Sequence, residues 1–174
     1  MPALPSMKRL LLLISGALAL ASCQSSAPSA YNLSVSYDPV TIERFRVFPS
    51  VEVDIVEANE TTLKQLEQTE IDDYFDPANV LRDSLRKKTF YFSEEDCEKK
   101  TLSRDDKVWQ SWLEKRGASH LVLFINLPRD GAKGPDMRRL TLPLAADRWD
   151  GEDIDVSIIP AGLLLQTPIK PEDN

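Results

Sequence analysis

Tyr31-Asn32-Leu33-Ser34-Val35-Ser36-Tyr37 alternates apolar and polar side chains without a fault. A period of two is that of a half-buried strand, with Leu33 and Val35 on the covered face and Ser34 and Ser36 on the other. Asp38-Pro39 ends the pattern, and Val51-Glu52-Val53-Asp54-Ile55 resumes it, predicting a second strand at about 51–57. The connection between them is unusually apolar, with Ile42, Phe45, Val47 and Phe48 beside Glu43, Arg44 and Arg46. Two readings of it stay open: packing, including a short strand of its own, or an exposed recognition loop.

Further along, strands are expected at Thr89-Phe90-Tyr91-Phe92, at Leu121-Val122-Leu123-Phe124-Ile125, around Leu140, Leu142 and Leu144, around Ile154, Val156 and Ile158, and in the stretch from Leu163. The unbroken run Leu121 to Ile125 marks a central strand covered on both faces, whereas Pro143 suits an edge. Leu63 and Leu66 have helical spacing. Asp76-Pro77 has the form of a helix start, with the helix running to about Leu85 and Arg86-Lys87-Lys88 at its end. Ser103 to Asp106 precede another helix, in which Val108, Trp109, Trp112 and Leu113 fill one core-facing side before Gly117 ends it. Ser93 to Lys100 reads as a charged loop. About seven short strands with two or three small helices predict a mainly β protein, a β-sandwich with helical insertions.

Upstream, Lys8-Arg9 and the uncharged run Leu10 to Leu20 have the form of a secretory signal, too short to span a bilayer, which takes ~20 apolar residues. The run ends in Leu20-Ala21-Ser22-Cys23, which resembles the lipobox of bacterial lipoproteins. The resemblance implies cleavage before Cys23, a lipid thioether on its sulfur and acylation of the new N-terminus. Two or more acyl chains anchor stably where a single chain does not. Gln24 to Ala30 are small and polar, as in a flexible stalk. Gln24, not Asp, follows the cysteine, a pattern that permits transfer to the outer membrane in many Gram-negative bacteria. The expected address is therefore the outer membrane, lipid-anchored and facing the periplasm.

The chain carries a formal charge of −7, and removing the two positive charges of Lys8 and Arg9 leaves −9. Such an acidic body argues against nucleic acid and against electrostatic adhesion to anionic lipid. The remaining cysteine, Cys97, lies in Glu94-Glu95-Asp96-Cys97-Glu98, where acidic neighbours do not activate a thiol. His120 is the single histidine, and a metal site normally needs three or four clustered ligands, so no metal or other cofactor is expected. Asp72-Asp73, Asp105-Asp106 and Glu94-Glu95-Asp96 are adjacent in sequence, and adjacent residues do not share a face. No nucleophile elbow, phosphate-binding glycine loop or Cys-x-x-Cys occurs. The pattern is that of a binding or assembly protein, not an enzyme.

Taken in order behind the lipobox, these segments resemble the TssJ (SciN/VasD) lipoproteins of the type VI secretion system. Asn32-Leu33-Ser34-Val35-Ser36 is similar to the strand that opens that family, and Ser50 to Ile55 to its second strand. Ile71, Phe75, Val80 and Leu81 match the apolar anchors of its helical insertion. His120 to Asp130 looks like its core strand ending in Arg-Asp, and Arg138 to Leu144 like the Pro-containing strand after it. The family's Trp before that strand is Met137 here, its Pro-Gly after the strand at Phe90 is Ser93-Glu94, and the helix of Trp109 and Trp112 has no counterpart.

The resemblance implies a transthyretin-like β-sandwich of seven or eight strands that binds the periplasmic domain of TssM. Through TssM it would join the rest of the TssJ-TssL-TssM complex. By order along the chain, the contact maps to Asp38 to Pro49, with Ile42, Phe45, Arg46 and Phe48 as its side chains. The expected organisation is a signal peptide at 1–22, lipidated Cys23 and flexible stalk at 23–30, the sandwich at 31–168 and a disordered tail at 169–174. Two other readings stay open: a lipoprotein binding module of another envelope assembly, and a periplasmic hydrolase that uses paired carboxylates, whose geometry is invisible in sequence.

Overall fold

The computed structural model describes residues 26–45, 50–129 and 134–171. Among them, eight strands form two four-stranded sheets packed face to face. The first sheet has the order β4-β1-β7-β8, from Lys100–Leu102 (β4), Asn32–Tyr37 (β1), Asp153–Ile159 (β7) and Gly162–Leu165 (β8). The second has the order β3-β2-β5-β6, from Lys87–Phe92 (β3), Val51–Ala58 (β2), His120–Ile125 (β5) and Arg139–Pro143 (β6). The mainly β sandwich expected from the alternating segments is what forms, with β5 central and β6 at an edge.

The period of two sets what lies between the sheets. Leu33, Val35, Ile154, Val156 and Ile158 meet Val53, Ile55, Leu121, Leu123 and Ile125 in one core. On the other side of the first sheet the small polar residues pair across strands, Ser34 Oγ with Thr101 Oγ1 at 2.9 Å and Asn32 Nδ2 donating to Asp153 Oδ1 at 2.8 Å. β1 lies parallel to β7, with Asn32 opposite Asp153 and Tyr37 opposite Ile158. Trp109 and Trp112 belong to the same core, edge to face at 5.5 Å. They sit on a helix, Val108–Gln110, that widens into π turns at Ser111–Lys115, and Gly117 closes it at φ +65°.

A second core explains why β5 is apolar on both faces. Val56 and Ala58 of β2 and Val122 and Phe124 of β5 point away from the first sheet, and Leu66, Ile71 and Tyr74 cover them. The cover is made of the helices Glu60–Gln68 and Ile71–Phe75, followed by Val80–Ser84. Asn59 starts the first of these, its side chain accepting from the Thr61 and Thr62 amides.

Three local expectations need correction. The connection after β1 begins as a helix, α1 (Pro39–Phe45), and is neither strand nor loop there. Asp76-Pro77 does not start a helix. Asp76 caps the end of Ile71–Phe75 and folds back to accept from the Ala78 amide at 2.8 Å, and Asn79 opens the next helix through the Leu81 amide. Lys87 and Lys88 consequently lie in β3, not at a helix end. The charged loop stops at Lys99, because Lys100–Leu102 pairs with β1 as an edge strand.

Candidate functional site

The parallel pairing of β1 and β7 brings the ends of both strands to one pole of the sandwich. Asp38 follows β1 directly, and its amide donates to the Ile158 carbonyl at 3.0 Å. The Asp38 carboxylate accepts from the Val40 amide at 2.8 Å, and Pro39 occupies the first helical position, where its missing N–H is no loss. Thr41 is buried, whereas Val40 projects with 68% of its surface exposed. Asp38, Val40 and Thr41 together with Ile159 and Pro160 line a shallow depression at this pole.

Val40 is thus an exposed aliphatic residue on α1 beside the end of β7, and the lining of the depression holds one carboxylate, Asp38, without a second acid or base. Of the residues expected to contact a partner, Ile42 and Phe45 fall on α1, within one turn or two of Val40. Their side chains lie outside the described ones. Arg46 and Phe48 lie outside the described residues altogether, as do Leu20, Ala21, Ser22 and Cys23. Ile159 and Pro160 escaped the sequence reading, and Val40 lay inside the mapped stretch Asp38 to Pro49 without being named as a contact. The signal for Val40 was its place after Asp-Pro, and for the other two only the parallel register supplies it.

The polar clusters are architectural in their geometry. Asp54 is fully buried on the outer face of β2 and accepts from Tyr74 Oη at 2.9 Å, Thr89 Oγ1 at 2.6 Å and Arg82 Nε at 2.7 Å. Arg82 also pairs with Glu52 and lies over the Phe75 ring at 4.8 Å. Burial pushes the Tyr74 hydroxyl upward, the Asp54 charge adding to it, so the phenol stays a donor. Arg138, also buried, donates to Asp136, to Asp72 at 2.5 Å and to the Leu127 carbonyl at 3.0 Å, and its hydrogen bond holds the Asp136 carboxyl below its ordinary value. These bonds join the helical cover to the sheet and leave each carboxylate occupied by a donor.

His120 is half-buried, its ring nitrogen 3.0 Å from Ser119 Oγ. Cys97 is free and half-buried against the main core. Among the described residues no group of three or more His, Cys, Asp and Glu side chains gathers in a way that could hold a metal, and no helix is long and apolar enough to cross a membrane.

At the opposite pole the residues before β1 are held against the body. Pro28 forms a β-bridge with Ala145, the Ser29 amide donates to the Leu144 carbonyl at 2.8 Å, and Ser26 and Asp147 exchange bonds at 3.2 and 2.8 Å. The stretch expected as stalk thus meets the sandwich from Ser26 onward.

The fold is shared with solved structures. It is similar to Serratia marcescens Lip, a membrane-bound component of the type VI secretion system, over 83% of this chain and 100% of that one, with a TM-score of 0.50 and 13% identity. It is similar also to a chain of a type VI membrane complex, over 79% of this chain and 98% of that one, with a TM-score of 0.51 and 12% identity. At such identities the likeness is one of fold. No protein-family model matches the sequence, and no curated protein matches it.

Proposed function

We propose that this protein is a lipid-anchored assembly component of a type VI secretion membrane complex, of the TssJ kind. Acyl chains on Cys23 tether it to the outer membrane, and the sandwich faces the periplasm. Its α1 pole binds the periplasmic domain of TssM, which links it to TssL at the inner membrane. The observation that carries this reading is a sandwich alignable with the whole length of Lip. The Leu20-Ala21-Ser22-Cys23 sequence ahead of it supports the anchor. The protein acts by holding two things together, lipid at one end and a protein surface at the other, with no covalent chemistry of its own.

Calorimetry of residues 24–174 against the periplasmic domain of the same organism's TssM tests the partner. Saturable binding that is lost in a folded Phe45→Ala/Phe48→Ala variant is the expected result. A folded wild-type domain that does not bind overturns it. Palmitate labelling tests the anchor separately: the wild-type chain takes up label and Cys23→Ser does not.

A further inference from the structure

We infer that the sandwich stands directly on the lipid headgroups by the pole that carries Ala145–Arg148, with α1 held at the pole farthest from the membrane. The inference rests on the lipid at Cys23 proposed above. Its first premise is where the chain is captured. Ser26, Pro28 and Ser29 are bonded to Asp147, Ala145 and Leu144, and the Tyr31 hydroxyl closes on the Leu144 and Ala145 carbonyls at 3.4 Å. Only Gln24 and Ser25 therefore separate Cys23 from the bonded Ser26.

Length then decides the geometry. Three Cα–Cα steps from Cys23 to Ser26 reach at most ~11 Å when fully extended. The headgroup layer on one side of a bilayer takes up roughly 6 Å of that, from the difference between total and hydrocarbon thickness. What is left is about 5 Å, one interstrand spacing, so the bonded turn lies against the headgroups. A stalk free through Ala30 would span about twice that distance and would let the body tumble.

The pole is suited to a neutral or zwitterionic headgroup layer. Its exposed charges are of both signs, Lys170 Nζ pairing with Asp150 Oδ1 at 2.5 Å and Arg104 with Glu152, while the Asp147 and Asp153 carboxylates accept from Ser26 and Asn32. These groups carry no surplus of positive charge to draw the pole onto anionic lipid, so the tether sets the contact. The tail returns to the same place, Lys170 N donating to the Arg148 carbonyl at 2.9 Å and Arg148 Nε to the Lys170 carbonyl at 2.9 Å. The paired six-residue run from Asn32 and Asp153 to Tyr37 and Ile158 rises ~17–20 Å and ends at the depression beside α1.

The test uses the full chain, processed in cells and reconstituted into phosphatidylcholine vesicles carrying a headgroup-borne quencher. Fluorophores are placed through Ala146→Cys and, separately, Val40→Cys, both exposed positions, in a Cys97→Ser background. The expected result is loss of most of the signal at 146 with little loss at 40. Inserting about ten Gly and Ser residues between Ser25 and Ser26 should abolish the difference, since such a linker is a flexible coil. Hydrogen exchange on the unsubstituted protein reads the same contact, slowing at 145–148 on vesicles and not at 39–45. Vesicle-bound protein with equal quenching at the two sites and no local slowing overturns the orientation alone. Protein that does not remain with the vesicles overturns the anchor and the orientation together.

Discussion

The Tyr74 hydroxyl donates to Asp54 Oδ2 at 2.9 Å while its ring stacks on Phe124 at 4.1 Å, so one residue of the helical cover is fixed to two strands of the sheet. The polar bond and the stacked ring act on the same side chain and can be separated by mutation. Tyr74→Phe keeps the ring and removes one of the donors to a buried carboxylate. It should cost about 1–2 kcal/mol in urea unfolding.

Arg82→Ala should cost more, about 3 kcal/mol, because it leaves the buried Asp54 carboxylate without its cation. It also frees Val80–Ser84, a helix with no buried residue of its own. Equal losses in Arg82→Ala and Tyr74→Phe would mean that the ion pair adds nothing to the neutral hydrogen bond.

Gly162 has φ +146°, and a Cβ built on it would overlap the Met137 carbonyl, a backbone atom that cannot swing away. Its neighbour Leu163 donates to that same carbonyl at 2.8 Å, closing the β6 edge of one sheet onto the β8 edge of the other. Gly162→Ala should therefore destabilise by at least about 2 kcal/mol, through both strain and displacement of that contact. A thermal or urea midpoint equal to wild type would show that the two edges are not held together there.

Burial, with the Coulombic effect of Cys97 second, pushes the Tyr37 hydroxyl from 10.0 up to about 12. The folded state thus keeps a proton that the unfolded chain releases near pH 10. The associated stability is whole below pH 10 and is lost as pH rises from there to about 12. Tyr31 and Tyr74 are shifted in the same direction by burial and add to the loss. Denaturation titrated by tyrosinate absorbance should show this alkaline fall, and Tyr37→Phe should make it shallower.

Val40→Asp puts a charge on an exposed apolar residue of the candidate docking pole without disturbing the core. Stability should change by no more than about 0.5 kcal/mol, as for surface substitutions generally. Affinity for the TssM periplasmic domain should fall by about tenfold or more if the depression is a contact centre. Unchanged affinity would move the contact away from Asp38, Val40, Thr41, Ile159 and Pro160.

Strand segments were legible because burial between two sheets writes itself as a period of two, faultless in Tyr31 to Tyr37 and Asp153 to Ile158. Leu121 to Ile125 announced a second layer of cover through its unbroken apolarity, and the Trp109 and Trp112 spacing announced core. What escaped depended on partners far along the chain. Lys100–Leu102 is three residues long, with a polar neighbour on each side of Leu102, and becomes a strand only because β1 offers it an edge. The two Asp-Pro pairs had opposite outcomes from the same local chemistry. After β1, Asp38 turns the chain into a helix, whereas Asp76 terminates one helix and Asn79 takes over the next start. The capture of Ser26 by Asp147 joins residues 121 positions apart, and small polar residues in a Pro-containing stretch carry no trace of it.

The parallel pairing of β1 with β7 also bears on how the molecule comes into being. Asn32–Tyr37 lies between two neighbours, Lys100–Leu102 and Asp153–Ile159, and both emerge from the ribosome long after it does. Of the eight described strands, the first is therefore seated by the seventh, and loop-closure entropy must be met before that contact repays it. Closure of the first sheet is consequently a late, whole-chain event. A chain truncated before Asp153 would leave β1 with an unpaired edge beside Leu33, Val35 and Tyr37, open to chaperones, proteases or other nascent copies.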